Sequence, residues 1–221
     1  MTVKVSEAKP PAFSLILARH ASTEASEARR LLGALDEPLS KRGTQEAADV
    51  AHAIAARLDR AGLASTDGRV LTSPLTRAVQ TASVIAKVLG WRMDVWDDFR
   101  ERDFGTWAGR SIDELRRSAP IVAAQFMKDP LSVNPDGAES MAEFHHRVFH
   151  CWAHVSETLR RNEPIIVVTH DGPIRAILRS IGFYGVAAVP LYAIPACSYT
   201  LLRRMSSLVW TVVEGLPSTT G

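Results

Sequence analysis

The chain has 221 residues, enough for one α/β domain with a proper core and no need of a disulfide or metal staple. Hydrophobic residues make up 46% and charged residues 23%, a globular composition that excludes a disordered or fibrous chain. The 26 Lys and Arg are nearly balanced by 24 Asp and Glu with no basic stripe, so nucleic acid is not an expected partner.

Residues 1–11 carry lysines but no apolar core of a signal peptide. No apolar run approaches the roughly 20 residues of a membrane helix. A cytoplasmic protein with no membrane partner is therefore expected. Cys151 and Cys197 show no paired spacing and read as reduced thiols. Residues 1–11 and 216–221 read as loose tails, from their polar and proline content.

Residues 13–18 (FSLILA) form a short continuous apolar run, as a buried parallel strand requires. Over 40–61, Ala47, Val50, Ala51, Ile54, Ala55 and Leu58 follow helical spacing, and Ser40 is placed to cap the start. Residues 69–72 read as a second strand. Ser73 and Pro74 then look like an N-cap and a first helical position, opening a helix to about Leu89. Residues 91–96 read as a third strand and 97–110 as a loop. Ser111 with Glu114, and Ser140 with Glu143, have the capping-box spacing. The second box opens a long helix whose core face is Met141, Phe144, Val148, Trp152, Val155 and Leu159. Residues 164–169 (PIIVVT) read as a buried strand, 173–181 as a helix, and 197–203 and 207–214 as two last strands.

Strands alternating with helices imply an α/β fold, a three-layer sandwich with a mostly parallel central sheet and helices on both faces. Neither an internal repeat nor a linker interrupts it, so residues 1–221 are expected to form a single domain, with 111–140 as a lid over the sheet.

In such sheets ligands bind beyond the carboxyl ends of the strands. Arg19 and His20 follow the first strand, Ser73 and Arg77 the second, Glu101 the third, and His170 with Asp171 the fourth. Two arginines, two histidines and a carboxylate from four strand ends suit an anionic substrate and acid–base chemistry.

These segments resemble the histidine phosphatase superfamily, also called phosphoglycerate-mutase-like, from residue 15 to about 177. LILARHAST (15–23) resembles its opening strand and R-H-G-x-T motif, and DEPLSKRG (36–43) followed by Gln45 its next segment. TSPLTRAVQTA (72–82) is similar to the segment with the second arginine, FRERDFGTWAG (99–109) to the segment with the acid, and VVTHDGPIRA (167–176) to the second-histidine motif. The resemblance implies a phosphomonoesterase in which His20 carries a phosphoryl group. Arg19 and Arg77 would clamp phosphoryl oxygens through their guanidinium forks. His170, if protonated, would stabilise transition-state charge. Glu101 would be general acid, then general base. A small phosphate ester is the implied partner. No metal or cofactor is required, because these cations already neutralise phosphoryl charge. A homodimer is a candidate assembly.

Three positions depart from the family pattern. Ala21 stands for a glycine. Ser26 stands for an asparagine of the phosphate pocket and still has a hydroxyl to donate. Asp171 stands for a glycine and brings negative charge that would raise the His170 pKa or repel an anionic substrate. The distinctive aromatic-rich insertion of the mutases is not found, which favours hydrolysis over phosphoglycerate mutase-type transfer. A phosphate-binding regulatory module with weak catalysis is the reading from another class. Asp103 is the rival acid to Glu101. His146, His150 and His154 share one helical face and read as a solvated or packed face rather than a metal site. Cys197 to Arg203 has the C-x5-R spacing of cysteine phosphatases, but SYTLL between them reads as a strand, not a phosphate loop. Arg116 and Arg117 read as exposed helix arginines.

Overall fold

The structure is a computed structural model and describes residues 15–63, 67–158, 163–182, 194–206 and 209–214. The expected tails at 1–11 and 216–221 lie outside these residues. Among the described residues, six strands form one sheet: β1 (Leu15–Arg19), β2 (Arg69–Thr72), β3 (Arg92–Val95), β4 (Ile165–Thr169), β5 (Tyr199–Arg204) and β6 (Trp210–Glu214). Their spatial order is β3-β2-β4-β1-β5-β6. The first four strands run parallel, and β5 and β6 extend the β1 side antiparallel.

The two continuous apolar runs, β1 and β4, lie at the centre of the sheet, where both faces are covered and every side chain must be apolar. Strand alternation then sorts the core. Leu15, Leu17, Ile165 and Val167 pack against Phe144, Val148, Trp152 and Val155 of α6 (Met141–Thr158) and Ile174 and Ile177 of α7 (Asp171–Ser180). Ile16, Ala18, Ile166 and Val168 face the other way. They meet Val50, Ile54 and Leu58 of α2 (Lys41–Arg60) and Ala78, Ala82 and Ile85 of α3 (Thr76–Leu89). The three-layer α/β architecture is therefore observed, with an antiparallel edge. Leu159, expected on the core face of α6, lies outside the described residues.

Between β3 and α6 the chain builds a cap with its own core. Ile112 and Leu115 of α4 (Ile112–Ser118) and Ala123 and Phe126 of α5 (Pro120–Lys128) pack with Leu31, Phe104, Trp107 and Val133. The Phe126 ring meets Phe104 and Trp107 edge-on, at centroid separations of 5.6 and 5.4 Å. Both capping boxes form. Ser111 Oγ accepts from Glu114 N at 3.2 Å while Ser111 N donates to Glu114 Oε2 at 2.7 Å. Ser140 and Glu143 repeat the exchange at 3.2 and 3.1 Å.

Three local expectations are corrected. The helix starts later than Ser73–Pro74: α3 begins at Thr76 with Leu75 at the N-cap, while Ser73 Oγ accepts from Leu75 N at 3.3 Å and lies 2.7 Å from His170 Nε2. The helix after β4 starts two residues before Pro173, so Asp171 opens α7 and His170 is its N-cap. A short helix, α1 (Glu24–Glu27), not expected from the sequence, follows a capping box between Thr23 and Ser26.

The start of α2 presses against the turn after His20. A Cβ at Gly43 would lie 1.9 Å from the carbonyl oxygen of Ser22, a backbone atom that cannot swing aside. Gly43→Ala is expected to destabilise the fold by about 1–3 kcal/mol, read as a lower denaturant midpoint with an unchanged m-value. A midpoint equal to wild type would contradict this close approach.

Candidate active site

The parallel register of β1 and β4 aligns Arg19 with Thr169, so the residues that follow, His20 and His170, emerge side by side. Their ring centroids are 5.0 Å apart. His20 N donates to Thr169 O at 2.9 Å, which extends the ladder by one residue and fixes the His20 backbone. His20 Nδ1 lies 2.7 Å from Ala21 O. A carbonyl only accepts, so Nδ1 carries the proton and Nε2 keeps its lone pair. Burial, then the charges of Arg77 and Arg19, hold the His20 pKa well below 6.5, against the Ala21 bond. The ring is a neutral nucleophile at neutral pH.

Arg77 reaches the same place from α3. Its NH1 donates to Leu35 O and its NH2 to Gly33 O, each at 2.8 Å, which fixes the guanidinium plane. Burial lowers its pKa to about 10, so it remains a cation at neutral pH. Arg19 is held through NH1 by Ile194 O. The Nε atoms of Arg19 and Arg77 and the Nδ1 of His170 are buried without a hydrogen-bond partner among the described residues. An unsatisfied buried donor costs roughly 1–3 kcal/mol, and more when charged. Two such cationic donors, Arg19 Nε and Arg77 Nε, belong to residues lining one cleft, an arrangement suited to an oxyanion.

Glu101 comes from the loop after β3. Thr169 Oγ1 donates to Phe99 O at 2.6 Å and ties this loop to β4. Glu101 Oε1 accepts from Arg102 N at 2.9 Å and Oε2 from Gly172 N at 3.2 Å. Burial raises its pKa above 4.5 and the Asp171 charge adds to the rise, against the Arg102 and Gly172 N–H bonds and the Arg77 charge. That favours a protonated carboxyl able to act as an acid. The rival, Asp103, is outside the cavity and accepts from Gly105 N at 2.9 Å as a loop turn.

Arg19, His20, Ser26, Arg77, Glu101 and Asp171 line one cavity of about 60 Å³. Leu31, Leu32, Phe104, Pro130 and Leu131 line the same cavity. His170 is fully buried and contributes through its contact with the His20 ring.

Three of these side chains are held by the protein itself. Ser26 lines the cavity, and its Oγ donates to Thr23 O at 2.9 Å and accepts from Thr23 N at 2.8 Å in the cap of α1. Burial, then the Arg77 charge, the neighbouring His20 ring and the Arg19 charge, hold the His170 pKa well below 6.5. Asp171 does not raise it. Both Asp171 oxygens are held by Arg175, at 2.5 Å to Nε and 3.1 Å to NH2, and its charge acts on Glu101 instead.

Sequence reasoning missed the residues that brace the acid. Arg102 is almost fully buried and donates Nε to Glu139 O at 3.1 Å, NH1 to Val133 O at 2.7 Å and NH2 to Asn134 Oδ1, tying the cap to the acid loop. Arg147 of α6 donates to the carbonyls of Asp98 and Arg100 at 2.8 Å and of Glu101 at 3.2 Å. It also holds Glu139, at 2.5 Å from Nε. Gly172 is a third case: a Cβ there would sit 2.3 Å from Glu101 Oε1. Gly172→Ala should displace the carboxyl by an ångström or so and lower kcat about 10- to 100-fold while inorganic phosphate still inhibits. Wild-type kcat in this variant would show that Glu101 is not held as described.

His146, His150 and His154 of α6 do not gather around one point. His146 and His150 stack at 6.4 Å, His154 meets Trp96 at 5.3 Å, and no group of three metal-ligating side chains is assembled among the described residues. Tyr199 to Arg203 of the C-x5-R segment lies in β5, and burial pushes the Cys197 thiol up to about 12, far from a thiolate nucleophile. Among the described residues no helix is long and apolar enough to cross a membrane.

The chain is similar to several known proteins. Phosphoserine phosphatase 1 of Hydrogenobacter thermophilus is 32% identical over 165 residues, 74% of this chain and 73% of that protein. A bifunctional protein of Mycobacterium tuberculosis is 33% identical over 165 residues, 75% of this chain, which spans only 43% of that longer protein. A mycobacterial glucosyl-3-phosphoglycerate phosphatase solved with VO3 superposes with a TM-score of 0.77 at 23% identity, over 90% of this chain and 97% of that one, which shows the same fold. The profile of the histidine phosphatase superfamily (branch 1) matches residues 15–214, taking in all six strands and every side chain of the cavity described above. The chain belongs to the histidine phosphatase superfamily, branch 1.

Proposed function

We propose that this chain is a metal-independent phosphomonoesterase that works through a phosphohistidine on His20. The observation that carries it is that Arg19 and Arg77, each with a buried Nε lacking a partner among the described residues, line one cavity with His20, whose Nε2 is unprotonated, while His170 packs against the His20 ring. In the first step the Nε2 lone pair attacks phosphorus and the bond to the ester oxygen breaks. The Glu101 carboxyl proton passes to that oxygen, and the alcohol leaves. In the second step Glu101, now a carboxylate, takes a proton from water as the water oxygen attacks phosphorus. The P–N bond breaks, its electron pair returns to Nε2, and inorganic phosphate is released.

The cations act by position. Arg19 and Arg77 present fixed guanidinium groups where charge collects on the equatorial oxygens. His170 need not be charged to help. A neutral ring that takes the Ser73 hydroxyl proton at Nε2, 2.7 Å away, presents Nδ1–H as a donor. A bound phosphoryl dianion then raises the pKa of both histidines, opposing the effect of the arginines.

The test is phosphate release from a broad panel of phosphomonoesters, phosphoserine and sugar phosphates included, with excess chelator present. Turnover that survives the chelator is expected. Release only on added divalent cation would contradict the proposal. Phosphate exchange between the two phosphoglycerates that depends on a bisphosphoglycerate primer would mark a mutase instead, and phosphate binding without turnover a regulatory module.

A further inference from the structure

The cavity that takes the phosphoryl group continues along Leu31, Leu32, Phe104, Pro130 and Leu131. Leu31, Phe104 and Leu131 are 5%, 9% and 8% exposed and belong to packed clusters, so this wall is rigid rather than a loose surface. Its buried charged neighbours, Arg102 and Asp171, are already engaged, while Arg30 sits in an exposed ion pair. All three nitrogens of Arg102 donate to Glu139, Val133 and Asn134. Both oxygens of Asp171 accept from Arg175. Arg30 NH1 is shared between Gly109 O at 3.0 Å and Glu114 Oε2 at 3.3 Å.

An ester that enters head-first, phosphoryl group to His20, must lay its alcohol part against this wall. A carboxylate or a second phosphate there would lose water against leucine and proline, next to the Asp171 carboxylate. An alkyl or aryl alcohol would instead bury apolar surface at no such cost. We infer that the leaving group is an uncharged, compact alkyl or aryl alcohol, selected by Leu31, Leu32, Phe104, Pro130 and Leu131. The inference rests on the phosphomonoesterase reading and narrows its substrate class.

The experiment is kcat/KM, with chelator, for the n-alkyl phosphates from methyl to butyl, set against phosphoserine and 3-phosphoglycerate. The longer alkyl leaving groups have similar acidity, so the series reads contact with the wall rather than chemistry. A rise of about threefold to fourfold per methylene is expected, with both carboxylate-bearing esters at least tenfold below butyl phosphate. Leu131→Ala should flatten the rise. Leu32→Ala, at a half-buried position and so less damaging to folding, should flatten it too. A flat series, a rise unchanged in both variants, or a preference for either carboxylate-bearing ester would overturn the inference and leave the phosphatase reading standing. No turnover of any ester would remove that reading and the inference with it.

Discussion

Replacing His20 with alanine is expected to lower kcat/KM for every phosphomonoester by about 10⁴-fold or more, the scale on which loss of a covalent nucleophile is felt. The structure gives three reasons why no neighbour can stand in. The His20 ring is oriented by its Nδ1 bond to Ala21 O, and its backbone by Thr169 O. His170, at 5.0 Å, is bound through Nε2 to Ser73 and is fully buried. Cys197, the other nucleophile type in sequence reach, has its thiol pushed up to about 12. Retention of the fold is checked by the denaturation midpoint. Activity within tenfold of wild type in a folded variant would remove His20 from the chemistry.

Glu101→Gln should lower kcat on alkyl esters by about 10²- to 10⁴-fold, the usual contribution of general acid–base catalysis, and should change the shape of the pH profile. The sign follows from the two pKa shifts. His20 must be neutral to attack, and its pKa lies well below 6.5, so the acid limb of kcat/KM falls off only on the acid side of that value. Glu101 must be protonated to serve the leaving group, and its pKa is raised above 4.5, so the acid form persists to higher pH than an exposed glutamate would allow and is lost as pH rises through the raised value. In the glutamine variant the alkaline limb is lost and the acid limb of His20 remains. Aryl esters, whose phenolate leaves without a proton, should be spared most of the first-step loss. An unchanged alkaline limb would point to Asp171 or another group as the acid.

The parts of this picture that were legible in the sequence are those whose signal is local. The runs at 15–18 and 165–168 announce buried parallel strands because both faces must be apolar, and the i, i+3, i+4 spacing of Val50, Ala51, Ile54 and Leu58 leaves one side for α2 to bury. Ser111 with Glu114, and Ser140 with Glu143, are self-contained within one turn, so their bonds form as the spacing implies. The gathering of Arg19, His20, Arg77, Glu101 and His170 was legible through the order of motifs and the strand-end rule. What was not legible depends on partners distant in the chain. Ser73 has the features of a helix cap, yet α3 starts at Thr76 and His170, 97 residues on, lies 2.7 Å from the Ser73 hydroxyl. Arg102 and Arg147 look like solvated charges, and only the folded cap and acid loop supply the carbonyls that make their burial tolerable. The turn at 24–27, which gives Ser26 a second role in the cap of α1, has no strong local signal. Gly172 gives no sign in the sequence that its missing side chain makes room for a carboxylate.

The central claim is that His20 Nε2 becomes covalently phosphorylated. Mixing the enzyme with an excess of a fast-reacting aryl phosphate, quenching in base and digesting with trypsin isolates the peptide of residues 20–29, which contains a single histidine and follows cleavage after Arg19. That peptide should carry one phosphoryl group that is stable in base and lost in acid, and the Gly172→Ala and Glu101→Gln enzymes, slowed in the hydrolysis step, should accumulate more of it. A phosphoryl group on this peptide that survives acid, as a serine or threonine ester would, or none in any of the three enzymes while ester is being hydrolysed, would contradict the mechanism.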